Sequence, residues 1–203
     1  MLHLFLELTT LAFFALTALH ATKQHGRFGL LFVSSLLALG FVRENYVTLE
    51  RLLYGYADLH LELGAAPLIG AIIWPYSIYV ACCFAERLTG ESLERACAKP
   101  AFLGLIALFM MSLVGFYEPL LDRVGMARWQ DGTLATAGAP WIAFIGYPTL
   151  AVGSTAVSGA LIRRWHTGVI GAGRLALWLV PALVGVALLH AWGLQALKNS
   201  LDW

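Results

Sequence analysis

The chain has 203 residues, of which 60% are hydrophobic and only 12% carry a charge. Soluble domains have about 25% charged residues, so this composition excludes an ordinary soluble domain. The net charge of +1 gives no indication of nucleic-acid binding, and the three cysteines do not indicate a disulfide framework.

Six apolar stretches follow one another along the chain, most of them close to the length of about 20 residues that crosses a hydrocarbon core of roughly 30 Å. They are Leu2–Ala21, Phe28–Val42, Ala65–Phe84, Ala101–Leu121, Pro140–Ile162 and Leu175–Leu197. The second stretch is short, so its helix must lengthen at its ends or tilt little. The stretches predict an all-α fold: a single domain over residues 1–203, built as a polytopic transmembrane helical bundle of about six spans.

The first stretch is predicted to remain in the protein as a span. No Lys or Arg precedes it and it contains Glu7, whereas a cleaved signal has a basic segment before an uncharged apolar run.

Basic residues are distributed unequally between the two sets of loops. Loops one, three and five contain eight Lys and Arg residues, and the segments on the other side contain five. Because cytoplasmic loops carry the excess of Lys and Arg, the count predicts a multi-pass protein of the cell inner membrane with both termini outside the cytoplasm.

The two long loops, loop two (Arg43–Gly64) and loop four (Asp122–Ala139), then share the outer side. Loop two is rich in leucine and tyrosine, and we expect it to lie in the membrane interface as a short helix or a re-entrant segment. Loop four ends in a flexible Gly- and Ala-rich stretch over residues 132–140. Pro140, its last residue, is expected to mark the start of the fifth span.

Carboxylate side chains gather in the outer half of the predicted bilayer. Glu118 and Asp122 close the fourth span and lie four residues apart, so both are expected on one helix face. Glu44 closes the second span, and Glu7 lies inside the first. Ionisable groups at this depth are costly and by default mark function, so these four are the candidate catalytic residues.

Other interpretations compete for each of these groups. Glu118 and Asp122 would also suit a solvated helix end, and Glu44 follows Arg43 closely enough to form an ion pair at the membrane rim. His190 stands alone on an apolar helix, where a hydrogen bond between helices is the favoured interpretation.

Aromatic residues cluster on the same side and are the candidate substrate-binding residues. An interfacial aromatic belt would also explain them. Alternatively, their ring faces would stabilise a cation formed on a bound lipid. The candidates are Tyr54, Tyr56, Trp74, Tyr76, Trp129 and Tyr147.

Motifs for metal and cofactor chemistry are missing from the sequence. It contains no Asp-rich run, no HxxxH series, no HExxH, no GxSxG, no P-loop and no Rossmann glycine pattern. We therefore expect no metal and no cofactor, which leaves acid–base chemistry by carboxylates.

Several segments between Gly40 and Tyr147 resemble a family of carotenoid-biosynthesis membrane proteins, the bisanhydrobacterioruberin-type hydratases (CruF). The chain differs from the family pattern by having Glu118 in place of an Asp and Arg123 in place of a Pro, and a relative acting on another isoprenoid or polyene stays open. The matching segments are Gly40-Phe41-Val42-Arg43-Glu44, Tyr54-Gly55-Tyr56, Leu63-Gly64, Pro67, Trp74, Tyr117-Glu118-Pro119-Leu120-Leu121-Asp122, Gly125, Trp129, Gly138-Ala139-Pro140 and Phe144-Ile145-Gly146-Tyr147.

The resemblance implies the addition of water to a terminal C=C bond of a lipophilic isoprenoid. In that scheme Asp122 gives the proton, and Glu118 or Glu44 orients the water. Capture of the same cation by a second double bond would instead make the protein a cyclase. A non-enzymatic small transporter, a lipid-binding bundle and a subunit of a larger membrane complex are the alternatives outside catalysis.

Overall fold

A computed structural model describes residues 2–50, 53–56, 59–129, 135–136 and 139–200. Five helices in this part of the chain are long and apolar enough to cross a membrane, so the protein is a membrane protein with transmembrane helices. The helices are α1 (Leu2–Leu49), α2 (Leu68–Thr89), the short α3 (Leu93–Ala96), α4 (Pro100–Arg123), α5 (Trp141–His166) and α6 (Ala172–Ser200).

The first helix, α1, consists of two helical arms that meet at Gly26. This residue has φ 57° and ψ −136°, a non-helical conformation that glycine adopts more readily than other residues. The chain folds back here, because a Cβ on Gly29 would lie 2.1 Å from the carbonyl oxygen of Ala21. We call residues 2–25 the first arm and residues 27–49 the second arm. The two arms and the four other long helices confirm the predicted bundle of about six spans.

The second arm shows how the short second stretch spans a bilayer. The helix continues beyond Val42 to Leu49, so the second arm is seven residues longer at this end than the predicted apolar stretch. The other predicted spans agree with α2, α4, α5 and α6 to within a few residues at each end. Hydropathy located these helices because each needs an unbroken apolar run.

Within the described parts of the loops, six very short strands form three antiparallel pairs. Strand β1 (Tyr54–Tyr56) of loop two pairs with β4 (Ala127–Trp129) of loop four, so that Tyr54 lies opposite Trp129. The pairs β2 (Glu62–Leu63) with β3 (Ala66–Pro67), and β5 (Ala135–Thr136) with β6 (Ala139–Pro140), are local hairpins.

The short helix considered for loop two is therefore wrong for the part that the structure describes, which forms strands instead. Tyr54 and Tyr56 alternate with Gly55, which suits a strand, and Gly64 turns the next hairpin with φ 79°. In loop four, Pro140 directly precedes α5 as predicted, whereas residues 132–134 and 137–138 of the expected flexible stretch lie outside the described residues.

The two ends of the bundle hold different groups of loops. At one end, His3 Nε2 bonds to Val124 O at 3.0 Å, and the Leu61 amide donates to Glu7 at 2.9 Å. We call this the site end; it carries loops two and four. At the other end, the basic end, His25 lies 3.5 Å from Glu86, so the turn at Gly26 adjoins the end of α2.

The helices pack closely at glycines, most clearly where Gly40 of the second arm meets α2. A Cβ at this position would lie 2.3 Å from the backbone oxygen of Ala71, which no side chain movement can relieve. The contact places the second arm directly against the first half of α2, and Glu44 one turn further along reaches Trp74.

We predict that Gly40→Ala lowers the free energy of unfolding by about 1–3 kcal/mol, because the added methyl group forces the second arm away from α2. Thermal unfolding in detergent micelles measures the change. Gly104→Ala is the matched control, since a Cβ there meets no atom within 4 Å. Equal stability of the two variants would contradict the close packing.

Candidate functional site

A charged pair lies fully buried near the end of the second arm. Arg43 is 2% exposed and Glu44 is 0% exposed, and Arg43 Nη1 donates to Glu44 Oε1. The guanidinium also lies 4.8 Å from the centre of the Trp74 ring and 5.3 Å from that of Tyr54. Two aromatic faces and a carboxylate therefore surround the cation, which compensates for its removal from water.

Three aromatic side chains complete the shell of hydrogen bonds around Glu44. The Tyr54 hydroxyl lies 2.8 Å and 3.0 Å from the two carboxylate oxygens, and the Tyr56 hydroxyl donates to Oε2 at 2.6 Å. The indole Nε1 of Trp74 donates to Oε1 at 2.6 Å. A carboxylate with this many donors is held in one orientation.

The second buried carboxyl group belongs to Glu118, which is 4% exposed on α4. Trp129 Nε1 donates to its Oε2 at 2.6 Å, and the Tyr147 hydroxyl of α5 donates to its Oε1. Its partners thus come from strand β4 and from α5, two elements on either side of the end of α4.

Ring contacts join these two clusters. Tyr54 and Trp129 lie 4.9 Å apart between ring centres, as expected from their opposed positions in β1 and β4. Trp74 and Tyr147 lie 5.0 Å apart. Each contact connects a donor of Glu44 with a donor of Glu118, so the two carboxyl groups belong to one continuous aromatic site.

The site encloses a cavity of about 40 Å³, enough for a few water molecules or the end of a chain. Gly70 is needed beside it, because a Cβ there would lie 2.7 Å from the Tyr56 hydroxyl oxygen. One side of the cavity is polar and aromatic, and the other is apolar. It is lined by Glu44, Tyr54, Tyr56, Ile69, Gly70, Ile73, Trp74, Glu118, Leu121, Met126, Ala127, Trp129 and Tyr147.

Seven of the ten residues that the sequence singled out line this cavity. They are the two carboxyl groups and five aromatic side chains: Glu44, Glu118, Tyr54, Tyr56, Trp74, Trp129 and Tyr147.

The other three residues lie elsewhere. Asp122 is exposed near the end of α4, whereas Glu118 is buried, and Asp122 does not line the cavity. Glu7 is buried, but it accepts hydrogen bonds from the Leu61 amide at 2.9 Å and from His60 at 3.1 Å, which anchor loop two to the first arm. Tyr76 faces Phe13, with ring centres 5.7 Å apart.

Sequence reasoning gave no place in the site to Arg43 and did not find the apolar wall formed by Ile69, Ile73, Leu121 and Met126. A cation directly before an acid, at the end of an apolar run, was the available signal for a buried pair. The apolar wall left no signal, because its residues look like any others in a membrane helix.

His190 has the role that the sequence favoured. Its Nε2 bonds to the Gly146 carbonyl oxygen at 2.8 Å and so joins α6 to α5. Within the described residues, no three His, Cys, Asp or Glu side chains are grouped closely enough to hold a metal ion.

Comparisons with protein-family models, curated proteins and solved structures found no match to this chain. Inferences about its function therefore depend on the geometry and chemistry of the site.

We predict that Arg43→Met lowers the free energy of unfolding by about 3–5 kcal/mol, because it leaves Glu44 as a buried charge without its cation. The double variant Arg43→Met, Glu44→Gln removes both charges and should regain most of that loss. Thermal unfolding in detergent measures both. A double variant as unstable as the single one would show that the ion pair is not the source of the effect.

We also predict a loss of stability at alkaline pH. Burial raises the pKa of Tyr54 and of Tyr56 well above their usual value, and the nearby Glu44 carboxylate raises both further. Below about pH 10 the tyrosines are neutral in both states, so their contribution is fully present. Above it the unfolded tyrosines ionise while the folded ones do not, and stability falls.

Tyr56→Phe tests this, because phenylalanine cannot ionise. The variant should lose less stability between pH 9 and pH 11 than the wild-type protein, as measured by thermal unfolding (the pH range brackets the usual tyrosine value of about 10). An identical pH dependence in both proteins would contradict the assignment to Tyr56.

Proposed function

We propose that the protein is a membrane-embedded hydratase, a cofactor-independent lyase that adds water to a terminal C=C bond of a carotenoid or another isoprenoid or polyene. One observation carries this proposal: two buried carboxyl groups, only one of them paired with a cation, line a single cavity with aromatic walls. Such a cavity suits a reaction that passes through a carbocation.

The charges of the site assign different roles to the two carboxyl groups. Arg43 balances the negative charge of Glu44, so Glu44 serves as the carboxylate. Among the described residues Glu118 has no ion-pair partner, so a second negative charge in the same water-poor cavity is costly and the neutral acid is its less costly form. As a neutral acid, Glu118 keeps Trp129 as a hydrogen-bond partner at one oxygen and the Tyr147 hydroxyl at the other.

The reaction then follows in three steps. Glu118 transfers its proton to the less substituted carbon of the double bond, and the π electrons form the new C–H bond and leave a tertiary cation. The rings of Tyr54, Trp74 and Trp129 stabilise that cation. A water molecule attacks the cation and gives one proton to Glu44, which makes a tertiary alcohol; transfer of this proton back to Glu118 restores the site.

This assignment moves the acid role from Asp122 to Glu118. Asp122 is exposed at the end of α4 and does not line the cavity, so it cannot reach a double bond that is bound there. Glu118 shares the cavity with the water-orienting Glu44, whereas Asp122 does not.

The proposal includes a location in the cell inner membrane, with the site end outside the cytoplasm. The excess of Lys and Arg in loops one, three and five supports this orientation. Accessibility of a cysteine introduced at exposed Glu62 to a membrane-impermeant maleimide in intact cells tests it. Labelling only after the cells are lysed would reverse the orientation.

We predict that Glu118→Gln abolishes turnover, because an amide cannot give up a proton to an alkene, while the protein remains folded. Mass spectrometry of lipid extracts from carotenoid-producing cells measures the reaction: the wild-type protein should increase the mass of a polyene by that of one water. Asp122→Asn, four residues away in the same helix, is the matched control and should retain activity.

The products distinguish the proposal from its alternatives. A new compound of unchanged mass would identify a cyclase, since the cation is then captured by another double bond of the same molecule. Full activity of Glu118→Gln would overturn the role of Glu118. No new product with the wild-type protein would favour lipid binding or transport.

A further inference from the structure

Helix α2 is buried on every side except for one narrow stripe. Its partly exposed residues between the two ends of the bundle are Ile73, Tyr76, Val80 and Cys83, at spacings of three and four residues that place them on one face. The residues between them, among them Trp74, Ile78 and Tyr79, are buried. The stripe is therefore the only part of this section of α2 that meets the bilayer.

The stripe forms the floor of a groove with a wall on each side. Phe13 of the first arm contacts Tyr76, with ring centres 5.7 Å apart, and forms one wall. On the other side Phe109 of α4 lies 5.3 Å from Phe84 of α2. At the site end the bond between His3 and the Val124 carbonyl oxygen joins the two walls above the groove.

Each end of the groove reaches a cavity. Ile73 lines the cavity that contains Glu44 and Glu118. Cys83 lines a second cavity, of about 470 Å³, at the basic end. Ten residues of helix separate Ile73 from Cys83, a distance of about 15 Å, or half the thickness of the hydrocarbon core.

The second cavity offers polar groups of both charges to a ligand, because Arg87 and His20 line it together with Glu86 and Glu91. Its acids already have partners: Glu86 accepts from the Leu93 amide and lies 3.5 Å from His25, and Glu91 accepts from Lys99 at 2.5 Å. Gln24 and Ser92 also line the cavity. A polar, hydrogen-bonding end group of a chain suits this lining better than an apolar one.

We propose that the groove on α2, between the first arm and α4, binds a linear isoprenoid chain whose reacting end lies in the site cavity and whose far end, a polar group, lies in the second cavity. The site cavity alone is too small for such a molecule, so the remainder of the chain needs a place next to it. The choice of an isoprenoid rests on the proposed function, whereas the groove and its length do not.

Protection of Cys83 from alkylation by N-ethylmaleimide tests the groove in the purified full-length protein. Geranylgeraniol, a linear isoprenoid alcohol long enough to reach the second cavity, should slow the alkylation of Cys83 about tenfold, as expected for a mostly occupied site. Geraniol, which is half as long, should leave the rate unchanged. Cys82 and Cys97 are buried and serve as internal references for the peptide mass spectrometry.

Val80→Trp places a large side chain across the middle of the groove and should abolish the protection by geranylgeraniol. Val80→Ala should retain it, and Leu108→Trp, at a side chain that is 58% exposed on α4, controls for the added tryptophan. Equal protection by both alcohols, protection by neither, or full protection in a folded Val80→Trp would overturn the groove. Even if Val80→Trp does not fold, the comparison of the two alcohols on the wild-type protein still tests whether the groove binds the chain.

The protection of Cys83 can be measured whether or not the protein catalyses a reaction. Length-dependent protection in a protein that makes no hydrated product would keep the groove and overturn the proposed reaction. A hydrated product without length-dependent protection would keep the reaction and overturn the groove.

Discussion

The buried ion pair between Arg43 and Glu44 is the constraint that the rest of the site satisfies. Two charges removed from water cost several kcal/mol each, and hydrogen bonds to the carboxylate offset part of that cost. The partners come from loop two and from α2: Tyr54, Tyr56 and Trp74 all donate to Glu44. The loops at the site end must therefore fold down onto the helix ends, and the pairing of β1 with β4 holds them there.

The same constraint explains why the cavity has two unlike walls. The polar wall is built from the groups that stabilise the two carboxyl groups, and its aromatic rings are in contact with one another. The apolar wall, with Ile73 on α2 and Leu121 on α4, has no charge to stabilise. A molecule bound between the walls would meet catalytic groups on one side and a lipid-like surface on the other.

The sequence was sufficient to predict the helices but not the contacts between the loops. Spans are local features, since about 20 apolar residues in a row define each one. The pairing of Tyr54 with Trp129 joins segments far apart in the chain, and no local pattern predicts it. The spacing of four residues between Glu118 and Asp122 predicted a shared helix face, but it carried no information about burial: Glu118 is buried and Asp122 is exposed.

Because Arg43 and Glu44 are neighbours in the chain, they leave the ribosome together and enter the bilayer in the same step of synthesis. A single charged residue at the centre of a helix costs about 2.5–3.5 kcal/mol on insertion, and an adjacent opposite charge reduces that cost before any other partner exists. Trp74, 30 residues later, and then Trp129 are made only afterwards. Glu118, which has no neighbouring cation, is inserted when the second arm and α2 are already in the membrane, so biogenesis of the site proceeds from the self-neutralised pair outward.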